Sequence, residues 1–119
     1  MGFSAGIVEH LEFRTPSEKD VTVIQESANI YYSHLTIIRT RKGLQEVIDF
    51  ARANMTTTNA VAKNRLTLGS IIATAALTRA ESRGTHFRED FPEKNPVWER
   101  RIIISQGKSD LPLGELLVQ

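Results

Sequence analysis

A chain of 119 residues with 15 basic and 14 acidic side chains has room for one domain and carries a formal charge of +1, so no broad field draws it to nucleic acid or an anionic membrane. The absence of cysteine removes disulfides, thiolate metal sites and a cysteine nucleophile, and fits a reducing, cytoplasmic setting. His10, His34 and His86 are too far apart for a local ligand pair, and no run approaches the ~20 apolar residues that span a bilayer.

Residues 1–14 show no clear period and are expected to form an N-terminal arm. MGFSAGIVEHLEF has no basic leader and an early Glu9, which makes it a poor signal peptide. In TPSE, Thr15 is placed to cap a helix, Pro16 suits its first position, and Glu18 stands where a capping box needs a carboxylate. Val21, Ile24, Ala28, Tyr31, Leu35 and Ile38 then recur at steps of three and four. They predict one buried stripe on a helix of about six turns, with Lys19, Gln25, Glu26 and Ser33 facing water.

RTRKG, Arg39 to Gly43, gathers cations before a glycine, the pattern of a helix C-terminus. A second helix follows over Leu44–Asn54, with Leu44, Val47, Ile48 and Ala51 inward and Gln45, Glu46, Asp49 and Arg52 outward. MTTTN, Met55 to Asn59, is a joint rich in capping side chains. The third helix carries two adjacent apolar stripes: Val61, Leu68, Ile72 and Ala75, and the smaller Leu66, Gly69, Ala73, Ala76 and Ala80. Small side chains let another backbone approach, either the first helix or a separate domain.

Gly84 is expected to end the third helix in a left-handed turn, with Arg79 and Arg83 in its last turns. Beyond it the period becomes two: His86, Arg88 and Asp90 share one side, and Phe87, Glu89 and Phe91 the other. Pro92 and Pro96 keep the backbone out of helix, and Ile102–Ile104 is predicted as a short strand. The prediction is an all-α fold, a three-helix bundle of spectrin-repeat kind with an irregular C-terminal extension. Residues 15–104 form the domain and residues 105–119 a tail without usable period.

The chemistry-bearing stretch is AESRGTHFREDFP, Ala80 to Pro92. Arg79, Arg83 and Arg88 can converge on a carboxylate or phosphate, or be neutralised by Glu81, Glu89 and Asp90; the ion-paired arrangement is favoured. His86 has the chemistry of a general acid or base, yet a lone histidine in an extended segment more often packs or hydrogen-bonds. Phe87, Phe91 and Trp98 are expected to cover the end of the bundle. No GxGxxG, GxxxxGK[ST], GxSxG or HExxH is present, so no complete cofactor or nucleophile motif appears.

ALTRAESRGTHFREDFP, Ala76 to Pro92, resembles the C-terminal domain shared by flavoproteins of the succinate dehydrogenase, fumarate reductase and L-aspartate oxidase family. IIRTRKGL, Ile37 to Leu44, resembles the pattern GIVRxxxGL before that domain's second helix, with Ile37 where glycine is usual. The resemblance runs from about residue 20 to about residue 104. The stretch WERRIIISQG after the DFP…W spacing looks most like L-aspartate oxidase, since the other members continue there with a longer β-rich extension.

The resemblance implies a noncatalytic helical domain of an enzyme that oxidises L-aspartate to iminoaspartate, the first step of bacterial-type NAD synthesis. FAD would sit in a separate dinucleotide domain and none in this chain, while a capping domain completes the substrate pocket. No catalytic, cofactor or metal residue is assigned. Ser82, Arg83, Gly84, His86, Arg88 and Asp90 are expected to meet the flavin-binding portion, with the small-residue stripe helping to seat the bundle there. Exposed apolar surface also makes a homo-oligomer an expected partner. Two alternatives stand beside this reading: the equivalent domain of a succinate dehydrogenase or fumarate reductase flavoprotein subunit, partnered by an iron–sulfur protein, and a free-standing helical interaction module.

Overall fold

The computed structural model describes residues 15–105 and 115–118; the expected N-terminal arm lies outside them. Three helices form the body: α1 Glu18–His34, α2 Arg41–Asn54 and α3 Ala60–Thr78. Between them runs β1, Ile38–Arg39, which pairs in parallel with β2, Phe87–Arg88. A 3-10 turn at Pro96–Trp98 leads to β3, Ile102–Ser105, paired antiparallel with β4, Glu115–Val118. The fold is all-α with two minimal sheets, as the periodicity indicates.

Each helix begins on a side-chain cap that takes an otherwise orphaned N–H. Ser17 and Asp20 form a reciprocal capping box at α1. The start therefore falls two residues later than TPSE suggests: Glu18 is as well spaced from Thr15, but Asp20 also accepts from the Thr57 hydroxyl at 2.9 Å, which anchors the box at Ser17. Thr40 accepts from the Gly43 N–H at 3.0 Å and opens α2. Asn59 accepts from the Ala62 N–H at 3.1 Å and opens α3.

RTRKG is thus the start of a helix and not the end of one. Gly43 lies in the first turn of α2, where a Cβ would come within 2.5 Å of His34 Nδ1. Close approach to α1, and not left-handed backbone, is what this glycine supplies.

The core lies between α2 and α3 and is closed by α1. Leu44, Val47, Ile48, Ala73 and Ala76 pack with Ile30, Tyr31, Leu35 and Leu77 in one half. Val23, Ala51, Ala62 and Leu66 pack with Ile24, Phe50 and Met55 in the other. Leu44 and Leu66 retain no exposed surface, and each such burial contributes roughly 1.5–3 kcal/mol.

On α1 the inward stripe differs from the predicted one. Val21, Ala28 and Ile38 are exposed, while Val23 and Ser27 are buried. Ser27 satisfies its hydroxyl internally, donating to the Ile24 carbonyl at 2.7 Å and accepting from Arg65 Nε at 3.1 Å. An apolar-only pattern passes over such a residue. The helix also stops at His34, because Ile38 leaves it to pair with Phe87.

The small-residue stripe of α3 is used inside the bundle. Leu66, Gly69, Ala73 and Ala76 are buried, and a Cβ on Gly69 would lie 2.2 Å from Tyr31 Cζ. Tyr31 is held there by donating to the Arg65 carbonyl at 2.7 Å. This corrects the expectation that the stripe helps seat a separate domain. The other α3 stripe, Val61, Leu68 and Ile72, is the exposed one.

α3 ends at Thr78, six residues before Gly84. Gly84 has φ +59° and occupies a turn whose ends pair, Arg83 with His86. Glycine is favoured there by its left-handed backbone, but the turn belongs to the following segment. The tail also differs from its expected irregularity, since Glu115–Val118 returns to pair with the β3 strand.

Candidate functional site

The segment Ala80–Pro92 folds into a compact hook across the ends of α1 and α3. A helix leaves its last carbonyls without internal partners, and arginines supply them here. Arg88, 1% exposed, donates from Nη1 to the carbonyls of Ala76 and Leu77, each at 2.9 Å. Its other edge grips Asp90 in a bidentate pair, Nε–Oδ1 2.8 Å and Nη2–Oδ2 2.5 Å. Arg39 donates from Nη2 to the Leu35 carbonyl at the end of α1, at 3.1 Å. Cations at these negative dipole ends are favourable, and they do the work the sequence assigns to glycine.

The β1–β2 pair sets this geometry. Ile38 lies beside Phe87, and Arg39 beside Arg88. Alternation places Ile38 and Phe87 on the outer, exposed face and the two arginines inward. The Glu89 N–H donates to the Arg39 carbonyl at 2.8 Å and extends the ladder.

Ser82 is the hub behind the ladder. Its hydroxyl accepts from the Arg88 N–H at 2.9 Å and donates to the Phe91 carbonyl at 2.8 Å.

A second ionic knot surrounds Glu81, whose side chain has no exposed surface. Arg83 contacts both of its oxygens, Nε–Oε2 2.9 Å and Nη2–Oε1 3.1 Å. Arg79 donates to Oε2 at 2.8 Å and the Asn95 N–H to Oε1 at 2.8 Å. The cover is thin, formed by the guanidiniums and the Asn95 backbone rather than by deep core. Arg83 above all holds the Glu81 carboxyl down to about 2.

Arg79 also donates to the carbonyls of Trp98 and Arg100, which fastens the segment leading to β3. Its guanidinium sits 5.5 Å from the Trp98 ring centroid, and that of Arg88 5.1 Å from Phe91. Trp98 and Phe91 therefore each back an arginine.

His86 is gripped at both ring nitrogens, Nδ1 by Arg39 Nη1 at 3.0 Å and Nε2 by the Arg79 carbonyl at 3.1 Å. Burial first, then the neighbouring arginines, lower its pKa from the ordinary histidine value.

The three arginines are ion-paired, as the sequence favours, but in two separate places: Arg79 and Arg83 on Glu81, and Arg88 on Asp90, with Glu89 in none of these pairs. Ser82, Arg83, Gly84 and His86 line one shallow groove with Phe87 and Pro92–Lys94. Arg88 lies buried, and Asp90 faces a different depression beside Ala80 and Phe91. Sequence reasoning missed Arg39 as a member of this site; the signal was the threonine after it, which marks a helix start and frees Arg39 to extend.

Among the described residues, no group of three or more His, Asp or Glu side chains is arranged to hold a metal. No described helix is long and apolar enough to cross a membrane. A dinucleotide needs a glycine-rich turn between a strand and a helix N-terminus. The described glycines lie inside α2, inside α3 and in the isolated turn at Gly84, so these residues do not form an FAD cradle.

Fold and site together define a helical domain whose buried charges hold its own terminal hook in place. The chain belongs to the family described as "Fumarate reductase flavoprotein C-term", which matches residues 49–113.

Among its relatives is a fumarate reductase (CoM/CoB) subunit of Methanothermobacter marburgensis. It is 48% identical over 44 residues, covering 37% of this chain and 8% of the relative. An L-aspartate oxidase of Rhodospirillum rubrum is 33% identical over 99 residues, covering 79% of this chain and 34% of that protein. A chain of the Sdh1 complex of Mycobacterium smegmatis in the apo form shares the fold, with a TM-score of 0.68 over 95% of this chain and 22% of that one, at 22% identity. The chain thus spans about a third or less of the length of these relatives.

Proposed function

We propose that this chain is the noncatalytic C-terminal helical domain of an FAD-dependent, cytoplasmic L-aspartate oxidase, packed against the flavin-binding core. The observation that carries the reading is the length of the match. The L-aspartate oxidase relative aligns over 79% of the chain, from bundle through hook, whereas the fumarate reductase relative aligns over 37%. Oxidation of L-aspartate to iminoaspartate, feeding NAD synthesis, belongs to the domains that hold FAD and complete the substrate pocket.

This chain's contribution is a stiff docking surface. Arg83, Gly84, His86 and Asp90 present the hook, with Ser82 and Arg88 fixing it from behind. Ile38 and Phe87, 57% and 39% exposed, offer apolar contact beside it; exposed apolar groups next to a rigid polar rim suit a domain interface.

The higher local identity to the fumarate reductase relative favours a second reading, the equivalent domain of a succinate dehydrogenase or fumarate reductase flavoprotein. One experiment separates them. The chain is mixed with an L-aspartate oxidase core lacking its C-terminal domain, and separately with a fumarate reductase flavoprotein core lacking its own. Association with the first core, with gain of L-aspartate oxidation, is the expected outcome. Binding only to the second selects the other reading, and binding to neither leaves a free-standing module.

A further inference from the structure

The two contacts of His86 admit one tautomer. The Arg79 carbonyl only accepts, so Nε2 carries the proton; the Arg39 guanidinium only donates, so Nδ1 offers its lone pair. The neutral ring thereby joins the end of α3 to the cation that caps α1, and it lies under the hook whose β2 strand pairs with β1.

We infer that His86 is a proton-sensitive latch: a second proton, at Nδ1, expels the Arg39 guanidinium and loosens the β1–β2 edge of the hook, while Arg88 keeps the hook on the end of α3 and the three-helix body stays folded.

The charged groups around the ring all oppose that proton. Arg39 lies on β1, Arg79 at the end of α3 and Arg88 on β2, and each acts on the ring as a cation. The carboxylates nearest in the fold are engaged elsewhere, Glu81 with Arg79 and Arg83, and Asp90 with Arg88. The remaining walls of the cleft are apolar: Ile71, Ile72, Ala75 and Ala76 from α3, and Ile102 and Ile104 from β3.

The folded ring accepts its proton at lower pH than the released ring, whose ordinary value is 6.5. The latch therefore holds fully above that value and weakens as pH falls below it. Loss of the Nδ1 contact leaves the Arg39 side chain tied only to the Leu35 carbonyl, and the β1–β2 edge, closed by the Glu89 N–H on the Arg39 carbonyl, opens more often.

The test is an NMR titration of the 119-residue chain between pH 7.5 and 5, reading the His86 ring nitrogens and the exchange protection of the Glu89 amide, which bonds the hook to β1. Expected are the Nε2–H tautomer at pH 7.5 and hook protection that falls as the ring titrates, by up to about tenfold per pH unit for one linked proton. The α2 amides keep their protection. His86→Gln supplies an acceptor for Arg39 and a donor for the Arg79 carbonyl without a titrating group, so its hook protection is flat across the range.

Three results overturn the latch: an Nδ1–H or charged ring at pH 7.5, titration at or above 6.5, or parallel loss of hook protection in both proteins. Should the variant not fold, the wild-type tautomer and titration decide alone.

Discussion

A guanidinium with 1% exposure is costly to bury, and Arg88 is tolerated because every edge of it is matched. It meets a carboxylate in a bidentate pair and two helix carbonyls that lack partners of their own. Truncation leaves Asp90 and both carbonyls without their donor. Because Asp90 keeps 31% side-chain exposure, water recovers part of the loss, and Arg88→Met is expected to cost about 2–3 kcal/mol in urea denaturation. Arg88→Lys keeps the charge but not the fork, and should fall between the two.

Glu81 makes a separate expectation. Its carboxyl lies near 2 in the folded chain against an ordinary 4.5, so its stabilising share is complete above about 4.5 and is lost as pH falls towards 2. Glu81→Gln should flatten the stability-versus-pH slope in that window, leaving the parts due to Asp20 and Asp90, whose carboxyls are also lowered. An unchanged slope would show that the knot around Glu81 opens before the chain unfolds.

At the scale of elements, the α1–α3 contact depends on Gly69. A methyl there meets the Tyr31 ring at 2.2–2.6 Å, and the ring cannot swing aside without losing its bond to the Arg65 carbonyl. Alanine gains about 1 kcal/mol of helix propensity, while overpacking costs about 1–3 kcal/mol. Gly69→Ala should be destabilising by up to about 2 kcal/mol net. Tyr31→Leu should relieve it, giving a coupling above about 0.5 kcal/mol in a double-mutant cycle; additive effects would show that the ring relaxes freely.

At the scale of the whole molecule, the outer face near the hook has little to do with stability. Ile38 is 57% exposed, so Ile38→Glu should change unfolding free energy by less than about 0.5 kcal/mol. The same substitution should weaken association with the flavoprotein core in calorimetry, and any self-association of the isolated chain in light scattering. If it unfolds the chain instead, that face is structural rather than a docking surface.

Three helices, their polar faces, the inward side of α2 and the strand at Ile102 are all legible in the amino-acid order, because amphipathic period and capping chemistry are local properties. Family membership is legible too, through the charged stretch after α3 and the segment before α2. Which groups end each helix is not local. Gly43 and Gly84 look like helix stops, yet one makes room for His34 and the other turns the hook, while the real stops are capped by Arg39 and Arg88. Arg88 reaches carbonyls eleven and twelve residues earlier in the chain, and His86 finds Arg39 across 47 residues. Sequence decided where helices form; only the packed structure, by bringing distant charges to the same helix ends, decided what fastens them.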